Sequence, residues 1–215
     1  MSPTAEKWIK VSFKACVIAV VILWISVFAP VEAEAKVEIM PLKQGDLILA
    51  FGDSLTFGTG APKGQSYPEF LQDELGLEVI NAGVPGELAS KGAKRLPGLL
   101  EEYNPSLVLI CHGGNDILHG RPDELIEQDL AAMAETVKFT PADLVIIGVP
   151  RPGLGLVVPS FYEKVAGKYN ALYEGKILRQ VLSNPSLKSD LIHPNAEGYK
   201  LVAEALAKLI KKSQW

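Results

Sequence analysis

"LILAFGDSLTFG", residues 47–58, decides the fold. Five residues without a charge, "LILAF" (47–51), read as a strand. The strand breaks at Gly52 into the polar pair Asp53 and Ser54, and the chain then turns into what looks like a helix start. Such a stretch can be a phosphate-binding loop, an ordinary strand-to-helix turn or the seat of a nucleophilic serine. It is not a phosphate loop. No G-x-x-x-x-G-K-[ST] follows, and Gly52, Gly58 and Gly60 do not fit G-x-G-x-x-G.

Outward from this stretch, strand and helix alternate. "EVINAG" (78–83), "SLVLICHGG" (106–114) and "DLVIIGVP" (143–150) are further strands, 106–114 near-continuously apolar as a strand covered on both faces should be. Helices are predicted over 67–76, 87–103 with a break near Pro97, 122–139, 161–178 and 195–212. About four strand–helix repeats imply a parallel sheet with helices on both faces, with chemistry at the carboxyl ends of the strands.

The composition supports one globular domain. The 215 residues are 48% hydrophobic and 21% charged, and 21 basic against 25 acidic residues leave a net charge of −4, so no nucleic-acid partner is expected. The cysteines, Cys16 and Cys111, build neither a disulfide framework nor a zinc site, and the three histidines make a metal site unexpected. Residues 1–35 differ from the rest. Lys7, Lys10 and Lys14 precede 17 uncharged residues, Ala15 to Val31, and "EAEA" follows. This is the layout of a secretory signal cut after Ala35 or Ala33. The run is also at the lower length limit for a membrane anchor. Residues 36–215 are therefore expected to be exported, to the periplasm or beyond, or to be held at the inner membrane through residues 15–31.

The strand ends carry the chemistry. "GDS" (52–54), "NAG" (81–83) and "GGND" (113–116) should meet at one rim of the sheet. Near the carboxyl end, "SDLIHPN" (189–195) sets Asp190 three residues before His193, a spacing at which the carboxylate can reach the imidazole. That pair would free one ring nitrogen as a base for the Ser54 hydroxyl. The N–H groups of Ser54 and Gly83 and the side-chain amide of Asn115 are candidate donors to an oxyanion. Asp53 and Asp116 read as structural, His119 and Arg121 as solvated loop residues, and Cys111 as a buried small hydrophobe. His112, just before "GGND", lies near the site and is given a part in packing or substrate choice, not in catalysis.

"GDSLTFG", "NAGVPGELA", "HGGND" and "DLIHPN", in that order, resemble the four signature blocks of the SGNH hydrolases, the GDSL-type lipases and esterases, over residues 47 to about 210. The resemblance implies a three-layer α/β/α sandwich with a flavodoxin-like parallel sheet and no cofactor. It places the family's nucleophile on Ser54, its oxyanion glycine on Gly83, its oxyanion asparagine on Asn115 and its acid and base on Asp190 and His193. The context looks most like bacterial arylesterases, thioesterases and lysophospholipases. The expected function is hydrolysis of carboxylic esters or thioesters through an acyl-enzyme, by a monomer acting on a small-molecule or lipid ester. Leu154, Leu156, Val157 and Val158 are expected to line an acyl pocket. Two alternatives stand beside it: an acetyl-ester hydrolase acting on cell-wall or extracellular polysaccharide, and a non-catalytic lipid- or glycan-binding module.

Overall fold

The computed structural model describes residues 37–153 and 155–214. The proposed signal or anchor and Leu154 lie outside the described residues.

Five parallel strands form one sheet in the order β2-β1-β3-β4-β5: β1 (Leu47–Gly52), β2 (Glu78–Gly83), β3 (Leu107–Cys111), β4 (Asp143–Ile147) and β5 (Leu172–Glu174). This is the flavodoxin-like order, with the reversal between β1 and β3 where ligands bind in such sheets. The apolar runs are buried as expected. Ile48, Leu49, Ala50 and Phe51 of β1 and Leu107 to Ile110 of β3 are fully buried, because helices cover both faces.

Helix α1 (Ser54–Phe57) is a single turn after β1. Helices α2 (Tyr67–Leu75) and α3 (Ala89–Tyr103) flank β2. Helix α4 (Gly114–Leu118) is a short turn after β3, and α5 (Asp123–Lys138) leads to β4. Helix α6 (Phe161–Lys168) precedes β5, and α7 (Ile177–Ser183) and α8 (Ala196–Ser213) follow it. Helices α3, α5 and α6 pack side by side, and α2, α8 and α7 form a second group. Right-handed crossovers put the two groups on opposite faces, completing the three layers.

Two expectations are corrected. Helix α3 runs through Pro97 without a break. Pro97 is exposed, while Ala89, Gly92, Leu96 and Leu100 bury the opposite side, and that packing holds the helix despite one missing backbone hydrogen bond. The helix expected over 161–178 ends at Lys168. Asn170 adopts a left-handed φ of 47°, and Leu172–Glu174 form the edge strand β5. Three residues are too few for an alternation pattern to register, so this strand and α7 were not legible in the sequence.

Candidate active site

The turn after β1 is tied down by Asp53. Its carboxylate accepts the Leu55 N–H at 3.1 Å, capping α1, and is hydrogen-bonded by the Gly114 N–H of the turn after β3. Asp53 is fully buried. Burial pushes its carboxyl above the ordinary value, opposed by His112 and by these two N–H groups. One side chain therefore locks together the turns that carry Ser54 and Asn115.

Asp190 and His193 form a compact turn of their own. Asp190 Oδ1 accepts the N–H groups of Ile192 and His193, both at 2.8 Å, and Oδ2 accepts from His193 Nδ1 at 2.8 Å. The segment is pinned by the Ser189 N–H on the His193 carbonyl and by Asn195, whose side chain caps α8 at the Gly198 N–H. Burial of the Asp190 carboxyl would raise its pKa. The hydrogen bonds from the His193 ring and the two N–H groups outweigh it and hold the group below the usual carboxylate range.

Across 139 residues of sequence, His193 Nε2 meets Ser54 Oγ at 3.0 Å. The carboxylate beside Nδ1 requires the ring proton there, so Nε2 is the acceptor for the serine hydroxyl. The structure thus brings Ser54, His193 and Asp190 into one hydrogen-bonded chain. Asn115 lines the same cleft as Ser54 and His193, and its Nδ2 donates to the Glu87 carbonyl at 3.1 Å. An amide has two N–H bonds, so one remains for a substrate. The Ser54 N–H has no hydrogen-bond partner among the described residues.

Gly83 has a different task from the one expected. Its N–H donates to Asn81 Oδ1 at 3.1 Å. A Cβ there would collide with the backbone of Thr56 and Phe57. The glycine allows β2 to approach α1 closely and does not aim its N–H into the cleft. The following turn holds a donor that the sequence reading missed. Val84 N–H bonds the Gly52 carbonyl, Glu87 N–H bonds the Val84 carbonyl, and Gly86 sits between them at φ 78°, a conformation glycine adopts without strain. The Gly86 N–H has no hydrogen-bond partner among the described residues. The Pro-Gly pair inside "NAGVPGELA" was the signal that could have found it, since such a pair marks a tight turn.

The cleft is a narrow one, open to solvent at its mouth. Besides the polar groups it is lined by Leu118, Val149, Pro150, Pro152, Leu156, Leu182, Leu191 and Ile192. Leu156 is where the sequence placed it, held at a left-handed φ of 44°. Val157 and Val158 are not. They line a separate, more polar depression with Glu163, Tyr173, Glu174, Lys176 and Arg179, and Val158 fills the space left by Gly148. The apolar wall comes instead from the loop after β4, the loop before α8 and the helices α4 and α7, with Leu191 lying between the two residues of the Asp190–His193 pair.

Four flanking residues also find their places. Asp116 is buried, accepts the Ala89 N–H at 2.8 Å and pairs with Arg121, which also pairs with Asp129. Arg121 is therefore not a free loop residue: it neutralises a buried carboxylate. Cys111 is buried, and desolvation pushes its thiol pKa well up, leaving no thiolate to react. His112 is also fully buried. Its Nδ1 accepts the Gly113 N–H at 3.0 Å, which puts the ring proton on Nε2, facing Glu87 Oε2 at 3.2 Å.

Glu87 is held by His112 and by two nitrogens of Arg95. Burial works to raise its pKa, but these hydrogen bonds and the Arg95 charge win and lower it from 4.5 to about 2. A carboxylate with a depressed folded-state pKa contributes stability above its unfolded pKa and loses it as pH falls toward the folded value. The advantage of the wild type over Glu87→Gln in urea midpoint should therefore be constant near neutral pH and shrink below pH 4.5. An advantage unchanged across that range would show that the charge on Glu87 is not what stabilises the fold.

A serine hydroxyl, an imidazole and a carboxylate at the carboxyl rim of a flavodoxin-like sheet define a serine hydrolase. The chain belongs to the GDSL-like lipase/acylhydrolase family, whose sequence profile matches residues 50–201. It is 33% identical over 177 residues to an arylesterase of Vibrio mimicus, a match spanning 77% of this chain and 88% of that protein. It is 28% identical over 174 residues to the thioesterase 1/protease 1/lysophospholipase L1 of Escherichia coli, spanning 77% of this chain and 84% of that protein. The crystal structure of the psychrotrophic esterase EstA from Pseudoalteromonas, inhibited by monoethylphosphonate, superposes with a TM-score of 0.70 at 26% identity, covering 78% of this chain and 97% of that one. The protein is an ester-hydrolysing serine hydrolase.

Proposed function

We propose that Ser54 is the nucleophile, His193 the general base and Asp190 the group that orients His193 and stabilises its charged form. The observation that carries this reading is the Asp190–His193–Ser54 chain of hydrogen bonds at 2.8 and 3.0 Å. Ser54 Oγ attacks the acyl carbonyl as its proton passes to His193 Nε2. The oxyanion takes the Ser54 N–H, the free N–H of Asn115 and the Gly86 N–H. Collapse expels the alcohol or thiol, protonated by His193, and leaves an acyl-enzyme. Water, activated by the same imidazole, releases the acid and restores Ser54. A pre-steady-state burst of p-nitrophenol equal to the enzyme concentration is the expected sign of the acyl-enzyme where deacylation is the slower step. Trapping with a fluorophosphonate should label Ser54 and no other residue, and a label elsewhere would sink the assignment.

We infer that the preferred esters carry medium or long acyl chains, as in aryl esters, thioesters and lysophospholipids. What supports this is the apolar wall of Leu118, Leu156, Leu182, Leu191 and Ile192 beside the polar centre. Burying each methylene is worth about 0.8 kcal/mol, so a chain gains roughly fourfold per added carbon until the wall ends. Leu156→Asn with Leu182→Asn should depress kcat/KM on octanoate and decanoate esters by about tenfold or more while leaving acetate esters within about threefold. Equal losses on both would remove the wall from the acyl site, and turnover of acetate esters alone would favour an acetyl-ester hydrolase. The positive flank, apolar run and small-residue site of residues 1–35 support work outside the cytoplasm, checked by the amino-terminal sequence of the mature protein.

A further inference from the structure

Below the rim lies a buried ionic cluster that the proposed reaction does not use. Glu87 is at its centre, 9% exposed. Arg95 of α3 reaches Glu87 through Nε at 3.0 Å and through its terminal nitrogen at 2.6 Å. The same guanidinium donates to the Ala82 carbonyl at 3.1 Å and lies 4.3 Å over the Phe51 ring, so it is anchored to the ends of β2 and β1. On the other side stands His112, with its Nε2–H toward the carboxylate. Its ring fits only because residue 92 is a glycine: a Cβ there would run into the imidazole. The His112 carbonyl accepts the Tyr162 hydroxyl at 2.9 Å, and the His112 ring packs 5.7 Å from Phe51. No buried side-chain polar atom among the described residues lacks a hydrogen-bond partner, and a cluster so connected is stiff.

The backbone of Glu87 does something else. Its carbonyl takes one of the two amide hydrogens of Asn115. Two residues on, the Ala89 N–H bonds Asp116, the neighbour of Asn115. The loop after β2 and the start of α4 are therefore zipped together by reciprocal bonds, one of which fixes the amide plane of Asn115 and thereby the direction of its remaining N–H. We propose that Glu87, clamped between Arg95 and His112, is a positioning residue for the oxyanion donor Asn115, and that His112 serves the reaction through this clamp. The inference rests on the proposed oxyanion role of Asn115. A group that donates only as charge develops must already point at the oxyanion, because a donor free to rotate loses part of its stabilisation in reorienting. A clamp built of a carboxylate, a guanidinium and an imidazole supplies that rigidity where a flexible loop would not.

A double-mutant cycle on the full chain tests this with p-nitrophenyl butyrate. Asn115→Ala should lower kcat by about 100-fold, the size of one lost oxyanion donor. His112→Leu, which removes the donor to Glu87 and keeps the bulk, should lower kcat by about tenfold with KM within about twofold, since the aimed N–H acts in the transition state. In the Asn115→Ala background the same substitution should cost less than about twofold, because the group it positions is gone. His112→Gln, which can still donate toward Glu87, should recover most of the rate. Equal losses in both backgrounds, or a rise in KM with kcat intact, would overturn the inference and leave His112 a packing residue. Asn115→Ala at full activity would remove the oxyanion role itself, and the positioning role with it. If His112→Leu does not fold, Glu87→Gln carried through the same cycle decides by the same criteria.

Discussion

Ser54→Ala is expected to lower kcat on p-nitrophenyl esters by about four to six orders of magnitude, with thermal stability unchanged within a few degrees. The size follows from the geometry. Among the described residues the polar partner of Ser54 Oγ is His193 Nε2, so the substitution removes the proposed nucleophile and nothing that holds the fold. The turn itself is fastened by Asp53, through Leu55 and Gly114, and by the Gly58 N–H on the Ser54 carbonyl, none of which involves the hydroxyl. A residual rate well above that of free water should survive, because the proposed oxyanion donors and the apolar wall are intact. Steady-state kinetics and a melting curve check both halves. A folded Ser54→Ala enzyme with undiminished serine-independent turnover would end the proposed mechanism.

Asp190→Asn is the second large effect, about two to four orders of magnitude in kcat. The carboxylate has two separate duties. Oδ1 accepts two backbone N–H groups, and an asparagine oxygen can take that place without disturbing the turn. The amide nitrogen then faces His193 Nδ1, which must become an acceptor, and the ring proton moves to Nε2. That tautomer cannot take the proton of Ser54. Asp190→Ala leaves the imidazole free to choose, so the asparagine variant should be at least as slow as the alanine one. The Asp190 side chain is 52% exposed, so water shares in stabilising the imidazolium, and the expected loss is below that of Ser54→Ala. Measuring kcat for both variants decides, and an asparagine variant clearly faster than alanine would contradict the tautomer argument.

Other relations belong to three dimensions. The amide of Asn115 and the carbonyl of Glu87 are 28 residues apart, and only the parallel pairing of β1 with both β2 and β3 sets their loops side by side. Gly83 was a reasonable donor on sequence, being a glycine at a strand end. Its N–H is taken because Asn81, two residues away on the same edge, turns its side-chain oxygen back onto it. The choice between Gly83 and Gly86 depends on which N–H has no internal partner, and a sequence does not record partners.

The acyl wall shows the same limit. Val157 and Val158 look as apolar as Leu156, but the chain around 156 carries a left-handed residue that sends the neighbours into a different depression. Leu118 and Leu191, 47% and 80% exposed, were hidden in motifs read for their polar members. By itself the sequence determined the parallel sheet and singled out Ser54, Asn115, Asp190 and His193, which the fold gathers at one cleft. Apolar runs and short polar motifs are local properties, and the rule that active sites lie at the carboxyl ends of such strands needs nothing more. Only the tertiary structure decided which N–H groups stay free, which leucines face the serine and that Glu87, Arg95 and His112 form one clamp. Each of these depends on hydrogen-bond competition and side-chain direction among residues that the fold, and not the chain order, makes neighbours.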